Sequence, residues 1–380
     1  MISFQPTEDE TALADVAKNI AKDVIRPKMR SCEELKKVEQ TMINEITDLG
    51  FLSLEFPEFW DGLELPLITQ VQLWQALSYG DLDVVQGLPG SGDVTSMIRV
   101  NPENTVLKRY KDDLINQKTA ALLDIADVKE TSGNHLTVRK DTDGYALQGD
   151  SQPVRMATFA SYVAVAAKDL QGNTVILWLD NGSQWTIDPG DYRLGLLASG
   201  LGRFSFDGVK VPDNQVIAKG HSADDLLQEA RTRIHIIQAA KEVGLMEAAL
   251  DYTTEYTAGR KAFGQEIAKF QGVSFRIAKM AMETRSANHL VWEAALKADK
   301  GDASAEGLAL RALNRAHRSV RYVTDSAVQL LGGHGFVQDF PVEKWMRDAQ
   351  AQVALYGSEK QLLVQHGGQL IAGKKEEAVQ

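Results

Sequence analysis

Gln329-Leu330-Leu331-Gly332-Gly333-His334-Gly335-Phe336 is the stretch whose reading decides the fold. It is followed by Pro341-Val342-Glu343-Lys344, Arg347-Asp348-Ala349 and Tyr356-Gly357-Ser358. Glycine at 332, 333 and 335 removes the Cβ atoms that would hold another chain or a ligand at a distance. The apolar residues ahead of them, Val323, Ala327, Leu330 and Leu331, keep helical spacing, so the glycines are expected to cap a helix. Alone, such a turn carries little information, because any glycine C-cap has the same pattern. It gains weight from a second stretch, Arg260-Lys261-Ala262-Phe263-Gly264-Gln265, with Phe270-Gln271 just beyond.

Working outward, the chain of 380 residues is long for one core and predicts two or three packed units. Apolar residues at 44% and charged ones at 24% are ordinary for a globular protein, which excludes a disordered chain or a fibre. A net charge of −11 argues against a nucleic-acid partner, which would want a basic face. The one cysteine, Cys32, has no internal disulfide partner and suits a reducing, cytoplasmic setting. No charged-then-apolar leader is expected at the start, and no run approaches the roughly 20 apolar residues of a membrane span.

Residues 1–118 read as a helical domain. Thr7 and Glu10 form a capping box, and Leu13, Val16, Ala17, Ile20 and Val24 make one apolar face that is expected to end before Pro27. A second helix is expected from about Cys32 to Leu49-Gly50, and a third, carried by Ile68, Val71, Leu73, Trp74 and Leu77, as far as Gly80. The glycine-rich Leu88–Asp93 has no strand before it, so it reads as an inter-helix loop and not a phosphate cradle. Residues 119–220 change character: short runs at Leu136–Val138, Tyr145–Leu147, Tyr162–Ala166, Thr174–Leu179 and Arg203–Val209 alternate with turns. They predict an antiparallel β-barrel or sandwich. From 221 to 380 the pattern returns to long helices, at about 223–259, 266–300, 303–331 and 357–372, as in a four-helix bundle. The fold class is therefore mainly α with a central β domain.

These segments together resemble the acyl-CoA dehydrogenase family. The Arg-Lys-x-Phe-Gly-Gln…Phe-Gln run, the Gln-x-Leu-Gly-Gly-x-Gly turn and Pro-Val-Glu-Lys-x-x-Arg-Asp-Ala stand in family order and spacing over the last third of the chain. Leu49–Pro57 with Tyr79-Gly80-Asp81, and Phe206–Pro212, extend the likeness to the first and middle thirds. The resemblance implies FAD as cofactor, an acyl-CoA thioester as substrate and an electron-transfer flavoprotein as electron acceptor. It also implies a flavin that carries the redox chemistry while the protein supplies a base, orientation and electrostatics.

It further implies which residues meet the cofactor. Arg260 matches the family's pyrophosphate arginine, a fixed planar cation suited to phosphate. Phe263, Gln271, Gln329, Gly332 and Gly333 match the rest of a set that grips the adenine and pyrophosphate half of a neighbouring subunit's FAD. The set that grips the flavin ring is missing. Where the family has Thr-Glu-Pro this chain has Leu122–Lys129, and where it has Trp-Ile-Thr this chain has Pro153-Val154-Arg155. Tyr356 stands at the position of the family's catalytic glutamate, and a phenol with a pKa of about 10 is a poor base. Glu359 is a weak substitute that reads as a first-turn helix glutamate. The alternative base position on the first bundle helix holds Ile234, with His235 and Arg233 beside it. No catalytic residue is assigned, and no Cys pair or His-x-x-x-His points to a metal.

The expectation is a non-catalytic partner in a hetero-oligomeric acyl-CoA dehydrogenase, arranged α2β2 with a homologous sister subunit. Its substrate would be a bulky or steroid-like acyl-CoA. Two alternatives stay open: a self-sufficient homotetrameric enzyme using Tyr356 or Glu359, and a flavin-free scaffold or acyl-CoA binder.

Overall fold

The computed structural model describes residues 7–90, 92–126, 136–180, 184–190 and 193–377, with side chains as far as 371. Its N-terminal third consists of α1 (Glu8–Ile20), α2 (Arg26–Leu35), α3 (Gln40–Asp48), α4 (Leu67–Ser78), α5 (Leu82–Gln86), α6 (Val94–Val100) and α7 (Lys111–Ile115). Thr7 caps α1 with the predicted capping box: its Oγ1 accepts from Glu10 N while Glu10 Oε2 accepts from Thr7 N.

Pro27 does not end this first helical run, contrary to the sequence expectation. One π-helical turn, Ala21–Ile25, joins α1 to α2 and places Pro27 in the first turn of α2. An N–H is not needed there, so the ring is tolerated. The second expected helix also begins late. Lys36 adopts a left-handed conformation that stops α2, and α3 starts only at Gln40.

The middle of the chain is not a closed barrel, and it is not wholly antiparallel. Its strands are β1 (Ala120–Asp124), β2 (Thr137–Asp141), β3 (Gly144–Asp150), β4 (Tyr162–Lys168), β5 (Thr174–Leu179), β6 (Thr186–Asp188), β7 (Arg203–Pro212) and β8 (Val216–Lys219). They form two open four-stranded sheets, ordered β1-β4-β5-β8 and β2-β3-β7-β6, with β1 parallel to β4. Period-two alternation explains how they pack. Val163, Val165, Leu177 and Leu147 meet Phe204 and Phe206 between the sheets, while Tyr162, Ala164, Ile176 and Trp178 turn the other way, onto Trp60, Met97 and Leu227. The first sheet is thus covered on both faces, and β4 and β5 are apolar almost throughout.

The last part is the bundle: α8 (His221–Gly259), α9 (Gln271–Asp299), α10 (Ala305–Leu331), α11 (Val342–Gln352) and α12 (Glu359–Glu377). A small hairpin, β9 (Lys261–Ala262) and β10 (Gln265–Glu266), separates α8 from α9, which is why α9 starts later than its apolar pattern predicts. Alanines 239, 240, 248, 249, 309, 312 and 316 are fully buried and bring the helix backbones close. One continuous core joins these helices to the N-terminal ones, with Trp74 and Trp345 both enclosed. Among the described residues no helix is long and apolar enough to cross a membrane.

Candidate functional site

The end of α8 sets up one half of the site. Arg260 caps the helix in an extended conformation, and the hairpin then turns at Phe263 and Gly264, both with positive φ (54° and 84°). Two positive values in a row define the tight turn that matches hairpin twist, normally filled by Asn-Gly. A phenylalanine there is strained, and strain of this kind is kept where a side chain must be presented. The Phe263 ring is 95% exposed and touches only the edge of Phe270 among aromatic neighbours. Arg260 is also exposed, and its guanidinium has no hydrogen bond or ion pair among the described residues. Gln271 opens α9, a long helix whose first free N–H groups favour an anion.

The glycine turn meets the last turns of α8, which lead into this hairpin. Gly332 caps α10 with φ 59°, as the sequence predicts. A Cβ on Gly332 or Gly333 would meet nothing within 4 Å, so both backbones stand open. Gly335 has the opposite role, because its Cβ would fall 2.2 Å from Val328 O. Gln329 is exposed next to the turn. His334 packs flat on Phe340 at 4.6 Å, and its Nδ1 is 2.8 Å from Tyr256 Oη. Tyr256 sits one helical turn before Arg260, so this contact draws the hairpin and the glycine turn into one face at one end of the bundle. Sequence reasoning missed Tyr256; its spacing from Arg260 was the only available signal.

A second cluster lies elsewhere. Arg155, only 5% exposed, places Nη2 2.6 Å and Nε 2.9 Å from Asp93 Oδ2, with Nε 3.0 Å from Tyr356 Oη. Tyr356 Oη in turn lies 3.2 Å from Asp93 Oδ2. Burial works to lower the guanidinium pKa, but Asp93 and Tyr356 more than offset it and hold the group charged. Burial, with Asp93 adding to it, drives the Tyr356 phenol well above its ordinary value, so it is still less fit to act as a base.

The other base candidates are engaged as well. Glu359 starts α12 and pairs with Arg321, with Arg318 Nε 4.0 Å away. Ile234 is buried, and beside it Arg233 meets the enclosed Glu55 at 2.7 Å. His235 is driven down to about 3 by burial, then by Arg231 and His317, so it stays neutral. In the stretch standing for Thr-Glu-Pro, Asp124 is bound by Arg231 through two 2.6 Å contacts. Asp127, Val128 and Lys129 lie outside the described residues.

A third group, unforeseen from the sequence, is buried in the core. Lys344 is fully buried with its Nζ 2.9 Å from Asp81, 3.5 Å from Asp83 and 2.7 Å from Asp348. The three carboxylates are close enough to share a cation, and the lysine ammonium stands among them in that role.

The two halves differ in how well their residues fit FAD. Arg260, Phe263, Gln271 and the bare Gly332-Gly333 backbone offer a cation, a ring face, an amide and open space, which fit a dinucleotide tail. The stretch Pro153-Val154-Arg155 does not fit a flavin ring. Pro153 has no N–H, and the Val154 and Met156 amides already donate to Gly202 O and Ser199 O at 2.8 and 3.1 Å. The pocket beside Arg155, walled by Leu52, Phe56, Val94 and Ile115, has a volume of about 50 Å³. Small-molecule sites usually need about 300–1,000 Å³.

Comparison with known proteins agrees with this architecture. Residues 7–115 match the family model described as "Acyl-CoA dehydrogenase, N-terminal domain", and residues 226–365 match "Acyl-CoA dehydrogenase, C-terminal domain". Benzylmalonyl-CoA dehydrogenase of Aromatoleum aromaticum is 24% identical over 92% of this chain and 94% of its own. The short/branched chain specific acyl-CoA dehydrogenase of Rattus norvegicus is 25% identical over 90% and 81%. Among solved structures, butyryl-CoA dehydrogenase from Megasphaera elsdenii superposes with a TM-score of 0.85 at 24% identity, covering 97% of this chain and all of the other.

Proposed function

This chain belongs to the acyl-CoA dehydrogenase family, and on that premise we propose that it is the non-catalytic partner of a hetero-oligomeric member. Membership assigns FAD as cofactor and oxidation of a CH–CH bond in an acyl-CoA as the reaction. In the proposed α2β2 assembly, Arg260, Phe263, Gln271, Gln329, Gly332 and Gly333 hold the adenine and pyrophosphate half of an FAD whose ring is seated in a homologous sister subunit. When bound, FAD would supply the acceptor for a hydride from Cβ, and the carboxylate for the Cα proton would belong to the sister. This chain contributes binding and orientation. A bulky, steroid-like acyl-CoA, an electron-transfer flavoprotein as acceptor and a cytoplasmic setting complete the reading.

One observation carries it: the nucleotide grip faces outward. A phenylalanine 95% exposed on a strained turn, next to an arginine with no partner among the described residues and to uncovered glycine backbone, serves a neighbour better than its own interior. The self-sufficient alternative lacks a comparable support, because Tyr356 is committed to hydrogen bonds with Arg155 and Asp93 and Glu359 to an ion pair with Arg321. The test is to purify this chain alone and with its sister, then measure bound FAD and reduction of an artificial dye by acyl-CoA. The pair is expected to be yellow and active, and the single chain to retain little flavin and show no turnover. Full flavin loading with turnover by this chain alone would overturn the proposal.

A further inference from the structure

We propose that Arg155 is a resident substitute for the flavin ring, locked to Asp93 and Tyr356 so that this chain's own ring position is closed. This goes beyond a non-catalytic role, since a subunit without a base could still seat a flavin.

The geometry is that of a finished core and not an emptied site. The guanidinium joins three segments far apart in sequence. It meets Asp93 from the loop before α6 and Tyr356 from the turn before α12, while Nη1 donates to Gln86 O at 2.7 Å and Leu88 O at 3.4 Å. Two of its partners and its chain neighbour are held in costly shapes: Asp93, Tyr356 and Met156 all have positive φ, at 61°, 60° and 64°, without being glycine. Non-glycine residues take that region when the surroundings over-determine them, and here three gather around one ion pair. The neighbouring backbone is equally committed. Val154 bridges to Gly202, and Met156 N–H is spent on Ser199 O, so the two amides flanking Arg155 are already engaged. Entry of a ring would have to separate Arg155 from Asp93, leaving two buried charges uncompensated. That penalty keeps the position shut whether or not FAD is gripped elsewhere by its tail.

The probe is lumiflavin, which has the ring and no nucleotide tail, titrated into the purified full chain and read by flavin fluorescence. The wild type is expected to show no saturable quenching. Removing both members of the pair, Arg155→Ala with Asp93→Ala, takes away the cation and its counter-ion together and is expected to raise binding at least tenfold. Saturable binding by the wild type overturns the proposal, as does a double variant with native circular dichroism that gains none. Should the double variant not fold, hydrogen exchange on the wild-type complex with and without FAD decides the matter. Unchanged exchange at 153–156 upholds the closure, and added protection there overturns it. The tail grip is read separately in the same run, from residues 260–271 and 329–336, so the two ideas can fail independently.

Discussion

Tyr256 Oη and His334 Nδ1, 2.8 Å apart, tie the end of α8 to the glycine turn after α10. The contact is edge-on between the rings as well, at 5.8 Å between centroids. Two stretches more than seventy residues apart in sequence thereby become one surface. Tyr256→Phe is expected to remove a hydrogen bond whose net worth is about 0.5–1.5 kcal/mol. The expected result is a looser turn, with a several-fold rise in the rate at which FAD leaves the assembled complex. Stopped-flow flavin release would show it, and an unchanged rate would place the turn outside the cofactor's reach.

Arg260→Ala and Phe263→Ala remove exposed groups, so each should change stability by no more than about 0.5 kcal/mol. Flavin retention is expected to fall at least tenfold in the complex. The pairing of normal unfolding midpoints with lost yellow colour is the signature to look for. Retained colour in both variants would contradict the assignment.

Tyr356→Phe and Glu359→Gln should leave turnover of the complex within about twofold of wild type, where loss of a true general base costs about a hundredfold or more. Tyr356→Phe also withdraws a hydroxyl from Arg155 and Asp93, so a small fall in thermal midpoint is expected. A large drop in the chemical step with either variant would restore the self-sufficient enzyme as the better reading.

Lys344→Met should be severe. Three buried carboxylates would lose their shared cation, and breaking such a group typically costs about 3–5 kcal/mol. Urea unfolding monitored by tryptophan fluorescence would register it as a much lower midpoint.

His235 gives the acid limb. Its folded pKa is depressed to about 3, by burial first and then by Arg231 and His317, against an ordinary value of about 6.5. The unfolded chain therefore binds the extra proton more readily, and the neutral imidazole's contribution to stability is present above pH about 6.5. It is lost progressively as pH falls from there toward about 3. His235→Gln should flatten the thermal midpoint across that window, and equal slopes in the two proteins would dismiss the imidazole as the source.

Much of this was legible from residues with a single strong local signal. The Thr7–Glu10 box, the glycine cap at Gly332 and the five expected strand runs lie where the sequence places them. Local pattern cannot report on pairing partners. Nothing in Ala120–Asp124 announces a parallel neighbour at Tyr162–Lys168, and the turn chemistry that suggested an antiparallel barrel or sandwich does not itself choose the two open sheets over a closed barrel. Pro27 misled because a π turn upstream changed which N–H groups the helix needs. At the site, Tyr356 and Arg155 were visible as departures from a pattern. Their meeting was not, because it depends on Asp93 in a loop whose glycines drew attention away from its carboxylate.

Lys344 also bears on how the polypeptide comes into being. Its partners Asp81 and Asp83 are made more than two hundred and fifty residues earlier, so during synthesis they wait without their counter-ion until the chain is nearly finished. Contacts of such long range slow folding and leave apolar faces uncovered meanwhile. The opening helices cannot settle into native packing on a ribosome that has yet to deliver α11, and a truncated product ending before it would be left to chaperones and proteases.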